Sequence, residues 1–194
     1  MKAYLCILHI ITHSIHPPLA VTLIKPTTTI IYPFTDSSVT ILDSIDNPLV
    51  VTLLIEYQGA PNTKHKHPVF LTPGEIFIQL DEDNDAYVDG PPLSHDFTAM
   101  LIQPMTHLSR RIAQLQTQLD SVQKKDGDFQ KIKEDQKTIK DELAEAVRRR
   151  EEIPRAYLEA NPGLPLSLAE LRQLSEDPVK DSPAPSPHHP SSRR

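Results

Sequence analysis

Asp81, Asp83 and Asp85 alternate in a stretch that runs on through Asp89 and Gly90, and spaced carboxylates with Asn84 among them are the oxygen ligands a calcium ion takes. A calcium loop also needs a glycine at its sharp turn and a bidentate glutamate at its end. Ala86 and Pro92 stand at those places, and the flanks read as strands rather than helices. The expectation is a solvated acidic loop, with the three aspartates a weak cation candidate and no metal assigned. Lys64-His65-Lys66-His67 would put two imidazoles on one face of a strand, a geometry that can hold a transition metal given a third ligand. No third ligand is signalled, so an exposed polar loop between two strands is expected.

Ser94, His95 and Asp96 have the residue types of a hydrolytic triad. Consecutive side chains of a strand point to opposite faces, so their adjacency argues against one. There is no G-x-S-x-G elbow, no phosphate-cradling glycine loop and no H-E-x-x-H helix, and five glycines leave little backbone for a glycine-built site. The reading is a non-enzymatic protein with no catalytic residues and no cofactor.

The elements that must position these residues fall into blocks. Residues 1–104 carry four Lys, no Arg and eleven acids, a net of −7; residues 105–153 net +1; residues 154–194 balance. An acidic first block excludes nucleic acid as its partner, because phosphate binding needs a basic surface. Arg148, Arg149 and Arg150 form the one basic run of the central block, and they read as the cationic last turn of a helix. Cys6 is the only cysteine, which rules out an intrachain disulfide. Met1 to Ala20 has the outline of a signal peptide, but His9, His13, His16, Pro17 and Pro18 favour a first β-strand. A cytoplasmic setting is therefore preferred, with secretion the alternative if that segment is cleaved. No later apolar stretch reaches the length of a membrane span.

Between residues 19 and 103, runs rich in Val, Ile, Leu, Thr and aromatics alternate with Pro, Asp, Asn and Gly, the pattern of an antiparallel β-domain. The expected strands are 19–25, 28–33, 37–42, 48–57, 68–71, 74–80, 86–88 and 96–103, with no helix among them. Val51, Leu53, Ile55, Phe70, Ile76, Ile78, Phe97 and Leu101 are the expected core. The strands at 51–56 and 76–79 are apolar on both faces, which calls for cover on the outside, and oligomer contacts could supply it. The layout from Ser38 to Leu80 (strand, Asn-Pro turn, long strand, loop, Pro-Gly turn, strand) resembles immunoglobulin-like sandwiches. The Cys and Trp hallmarks of antibody domains are missing, since there is no Trp and only Cys6.

Residues 105–153 contain no proline, as a helix interior requires. Leu108, Ile112, Leu115, Leu119 and Val122 step by four and three like the seam of a coiled coil. Past Asp126 and Gly127 the seam resumes in a new phase with Phe129, Ile132, Gln136, Ile139, Leu143, Ala146, Arg150 and Ile153. Either one helix runs through the break, the preferred reading, or a turn at 125–128 folds two helices into a hairpin. Pro154 is expected to end the helix. Ser167 and Glu170 form a capping box for a short helix within 154–177, and the Pro/Ser-rich tail 178–194 reads as disordered.

The chain is thus read as an Ig-like antiparallel β-sandwich (1–104), a coiled-coil helical segment (105–153), a short capped helix with linker (154–177) and a tail (178–194). Its expected role is structural. Leu108, Ile112, Leu115, Leu119, Val122, Phe129, Ile132, Ile139 and Leu143 would join protein partners or copies of the chain, a homo-oligomer, and the acidic domain would be displayed. The alternative is a ligand-binding sandwich on an oligomerising stalk, taking a cation or glycan at loops 61–67 and 81–92.

Overall fold

The computed structural model describes residues 3–59, 63–123 and 129–174. Eight strands come first: β1 (Tyr4–Thr12), β2 (Pro18–Ile24), β3 (Thr29–Pro33), β4 (Ser38–Ile45), β5 (Leu49–Tyr57), β6 (Thr63–Leu71), β7 (Gly74–Leu80) and β8 (Ala86–Asp89). They form two four-stranded sheets, sheet I in the order β4-β1-β7-β8 and sheet II in the order β3-β2-β5-β6. All pairings are antiparallel except β1 with β7, which is parallel, so the sandwich is not purely antiparallel as expected. The parallel pair arises because β1 and β7 are far apart in sequence and need no hairpin between them.

Period-two alternation builds the core. Cys6, Leu8 and Ile10 of β1 and Ile76, Ile78 and Leu80 of β7 point inward from sheet I, and Val21, Leu23, Val51, Leu53, Ile55 and Val69 meet them from sheet II. Each buried Leu, Ile or Val contributes about 1.5–3 kcal/mol relative to exposure. β1 lies between β4 and β7 in sheet I and supplies Cys6, Leu8 and Ile10 to this core. The Cys6 thiol is buried, and burial first, then the Asp43 carboxylate, pushes its pKa up to about 11.

The helical part starts earlier than expected. Residues 96–103, read as a strand, lie in a continuous helical run: α1 (Pro92–Asp96), a π-helical stretch (Phe97–Ile102) and α2 (Gln103–Gln123). Pro92 at the first helical turn suits a helix start, where its missing N–H has no intrahelical partner to lose. α3 spans Phe129–Ala160 and contains Pro154, so that proline does not end the helix. Pro154 is buried, and tertiary packing offsets the cost of one lost backbone hydrogen bond. Arg148–Arg150 therefore lie within α3 rather than in its last turn. α4 (Leu168–Leu174) is opened by the expected capping box: Ser167 Oγ accepts from the Glu170 N–H at 3.2 Å, and the Ser167 N–H donates to Glu170 Oε2 at 2.7 Å.

The preferred continuous helix is overturned. Arg111 Nη2 of α2 reaches Glu142 Oε2 of α3 at 2.6 Å. In one straight helix those residues would stand about 46 Å apart at about 1.5 Å per residue. α2 and α3 fold back on each other as a hairpin whose own packing covers Leu115, Val122 and Ala146. Gly127 and the tail 178–194 lie outside the described residues.

A second core joins the two parts. Phe70, on the outer face of β6, packs with Phe97, Leu101, Met105, Tyr157 and Leu171, so helices cover part of the outer face of sheet II. Phe97 sits between Phe70 at 5.5 Å and Tyr157 at 6.1 Å, the latter edge-on. All eight expected core residues are buried.

Candidate interaction surfaces

The acidic loop is structured by its own carboxylates. Asp81 Oδ1 accepts from the Asp83 N–H at 2.9 Å and the Asp85 N–H at 2.8 Å, and Asn84 takes a left-handed φ of 60° to close the turn. Asp85 Oδ2 accepts from Arg110 Nη1 at 2.7 Å, and Arg110 Nη2 donates to the Asp83 carbonyl at 3.2 Å. The positive charge facing this loop is thus the guanidinium of α2, which ties the β7–β8 turn to the hairpin. Among the described residues no three His, Cys, Asp or Glu side chains converge as metal ligands would.

The segment 64–67 is not an exposed loop but lies in β6, paired with β5. The strand alternation that sends Val69 and Leu71 into the core sends His65 and His67 to the same side. His67 is buried with Nε2 unpartnered, and burial followed by the charge of His65 lowers its pKa to about 4. His65 stands edge-on to Tyr57 at 5.7 Å, and its pKa is lowered by burial and by the nearby Arg110. Lys64 pairs with Glu56 on the other face.

Ser94, His95 and Asp96 do not converge as a triad. Ser94 Oγ is buried against Thr72 Oγ1 at 2.8 Å, while His95 Nδ1 contacts its exposed neighbour Asp96 at 3.0 Å. The reason is helical rather than strand geometry, since these residues lie in α1.

Three surfaces remain. The first is the hairpin. Leu115 and Val122 are buried within it, and Leu108, Ile112, Leu119, Ile132, Ile139 and Leu143 are half-buried. Phe129 is 74% exposed and Val147 39% exposed. Eighteen residues make five turns at about 3.6 per turn, so these two lie on one line along α3. The second surface is a groove of about 640 Å³ on the outside of sheet II, floored by Val50, Thr52 and Phe70 and walled by Leu166 and Leu174.

The third is the outer face of sheet I, of which the sequence reading singled out the strand at 76–79 but not β1, β4 or β8. Leu5 is 58% exposed, Leu42 67%, Tyr87 52% and Phe77 46%. Ile7 and Ile11 share that face, and His9 stacks on Phe77 at 4.7 Å. A signal was present: β1 is apolar at Leu5, Ile7 and Ile11 as well as at Cys6, Leu8 and Ile10, the mark of a strand covered on both sides.

No protein-family model matches the chain, and no curated protein matches it. Among solved structures, the NMR structure of a protein from Eubacterium rectale is similar over 45% of this chain and 89% of that one, at 17% sequence identity and a TM-score of 0.30. A likeness of that degree assigns neither fold nor function. No helix among the described residues is long and apolar enough to cross a membrane.

Proposed function

We propose that the protein is an assembly module, in which the α2–α3 hairpin associates with helices of protein partners or of further copies and the acidic sandwich is held out from that contact. The observation that carries this reading is the incomplete cover of the hairpin. Two helices bury Leu115, Val122 and Ala146 and leave Phe129 and Val147 of α3 exposed, five turns apart on one line. Apolar side chains that one neighbouring helix leaves uncovered are available to further helices of a bundle. Coiled-coil packing of Ile112, Leu119, Ile132, Ile139 and Leu143 against added helices, and an immunoglobulin-like character for the two stacked sheets, belong to this proposal.

The test is sedimentation of the intact chain beside Phe129→Glu/Val147→Glu. Both positions are exposed in the single chain, so the hairpin stays folded and helical dichroism is unchanged. The expected result is a loss of mass at tens of micromolar. Equal masses for the two proteins would end this reading of the hairpin.

A further inference from the structure

We infer that the outer face of sheet I is an interface with a second copy of this chain, packed face to face about a two-fold axis parallel to the strands. The inference does not depend on the hairpin reading.

The register sets out the face. Thr40, His9, Phe77 and Asp89 form one row across β4, β1, β7 and β8; Ser38, Ile11, Gln79 and Tyr87 form the next; Leu42, Ile7 and Glu75 lie on the other side. Its middle strands carry Leu5, Ile7, Ile11 and Phe77, its edge strands carry Ser38, Thr40, Ser44 and Asp89 beside Leu42 and Tyr87, and His95, Thr98 and Gln103 of the helical run border the β7–β8 side. These rows hold no Lys or Arg, which disfavours an anionic membrane or nucleic acid as the occupant.

Size fits as well. Strands of eight, nine, seven and four residues, about 4.8 Å apart at about 3.4 Å per residue, give a face of roughly 460 Å². Two such faces in contact remove on the order of 900 Å², at the lower edge of specific interfaces.

What selects a second copy is the distribution of chemistry across the face. Both acids, Glu75 and Asp89, lie on the β7–β8 half, whereas the polar groups of the β4 edge, Ser38, Thr40 and Ser44, are neutral hydroxyls. A two-fold axis along the strands lays each half over the other. Asp89 then meets the partner's Thr40, a hydroxyl that can donate to the carboxylate, and the acids of the two copies stay apart. The same operation sets the stacked His9–Phe77 pair over the partner's Phe77 and the partner's His9, placing four rings at the centre, where aromatic contacts contribute most. An axis across the strands would instead bring the acidic halves together.

The test uses the full chain in the Phe129→Glu/Val147→Glu background, which removes any hairpin association. The expected mass at 100 µM is twice 21.8 kDa, falling to 21.8 kDa when Leu5→Glu/Leu42→Glu is added. Thr40→Cys/Asp89→Cys should be joined into a covalent dimer by a bis-maleimide spanning about 8 Å, since facing sheets stand about 10 Å apart, and neither single variant should. Three strand spacings, about 14 Å, separate the two positions within one chain, too far for an internal link. Cys6, buried in the core, stays out of the reaction. A monomer at 100 µM, a dimer indifferent to Leu5→Glu/Leu42→Glu, or a double-cysteine variant that does not cross-link would each overturn the inference. A hairpin that proves inert changes only the effect of Phe129→Glu/Val147→Glu, so the two readings fail separately.

Discussion

The two sheets of the sandwich are built from strands of the same character and end in different surroundings. β5 and β6 of sheet II carry apolar residues on their outer side, and the chain supplies its own cover there: Phe70 lies under Phe97, Tyr157 and Leu171. β1, β4 and β7 of sheet I also carry apolar residues outward, and among the described residues Leu5, Leu42 and Phe77 stay exposed there, Phe77 with His9 stacked against it. A strand that is apolar on both faces records that a cover exists without recording whether the same molecule provides it. That difference can be measured as stability, because a residue covered within the chain contributes to folding and one covered by a second copy contributes to association.

The largest effect should come from Phe97→Ala. The ring is fully buried between Phe70 and Tyr157, and truncation leaves a cavity in the second core between β6 and the helices. A loss of about 3–5 kcal/mol is expected in urea denaturation, and the Tyr157 environment should change with it. The matching variant on the bare sheet, Phe77→Ala, should cost about 1 kcal/mol or less in the monomer, since nearly half of that side chain is already in water. Equal losses for the two variants would break the contrast between the sheets.

How much of this was legible in the sequence depends on which signal each segment offered. The strand 74–80 is found with the bounds expected, because Ile76 and Ile78 alternate with more exposed neighbours between a Pro-Gly turn and an acidic turn. Phe97 to Ile102 is an unbroken run of mostly apolar residues, and such a run suits a buried helix as well as a buried strand. Pro92 was the available hint of a helix start. Phe97 and Leu101 are buried as expected, but in the second core rather than between the sheets. The seam at 108–153 was readable as helix and not as hairpin, since the same steps of three and four serve a helix folded on its neighbour or one packed on another chain. The clamp of Arg110 on Asp85 was not readable, because nothing local links a turn to a helix that returns to it later.

An intermediate effect should appear in the pH dependence of stability, through His67 on the inner face of the covered sheet. Burial, and then the neighbouring His65, hold its pKa at about 4, whereas the unfolded chain has a value of about 6.5. Arg110 of α2 adds a further positive charge near His65. The unfolded state therefore binds the proton first as pH falls. The contribution of neutral His67 is fully present above pH 6.5 and is lost between there and pH 4, on the order of a few kcal/mol. His67→Leu should flatten that part of the curve measured by urea midpoints between pH 7 and 4. A slope unchanged by the substitution would mean that other groups govern it.

The smallest effect separates the pieces of the cover itself. α4 reaches the second core through Leu171, and only seven residues long, it depends on its ends more than its middle. Ser167 Oγ accepts from the Glu170 N–H, and the Glu170 carboxylate bonds back to the Ser167 N–H and hydroxyl, which also holds that carboxyl below its usual pKa. Ser167→Ala removes the hydroxyl and should cost about 1 kcal/mol. Because Leu171 is one residue of a cluster that Phe97 and Tyr157 continue to fill, loss of the cap should loosen α4 without unfolding sheet II. Amide exchange at 168–174 should quicken while β5 and β6 keep their protection. If β6 lost protection in step with α4, the cover and the sheet would be a single cooperative unit. The outer face of sheet II would then depend on α4 as well as on Phe97.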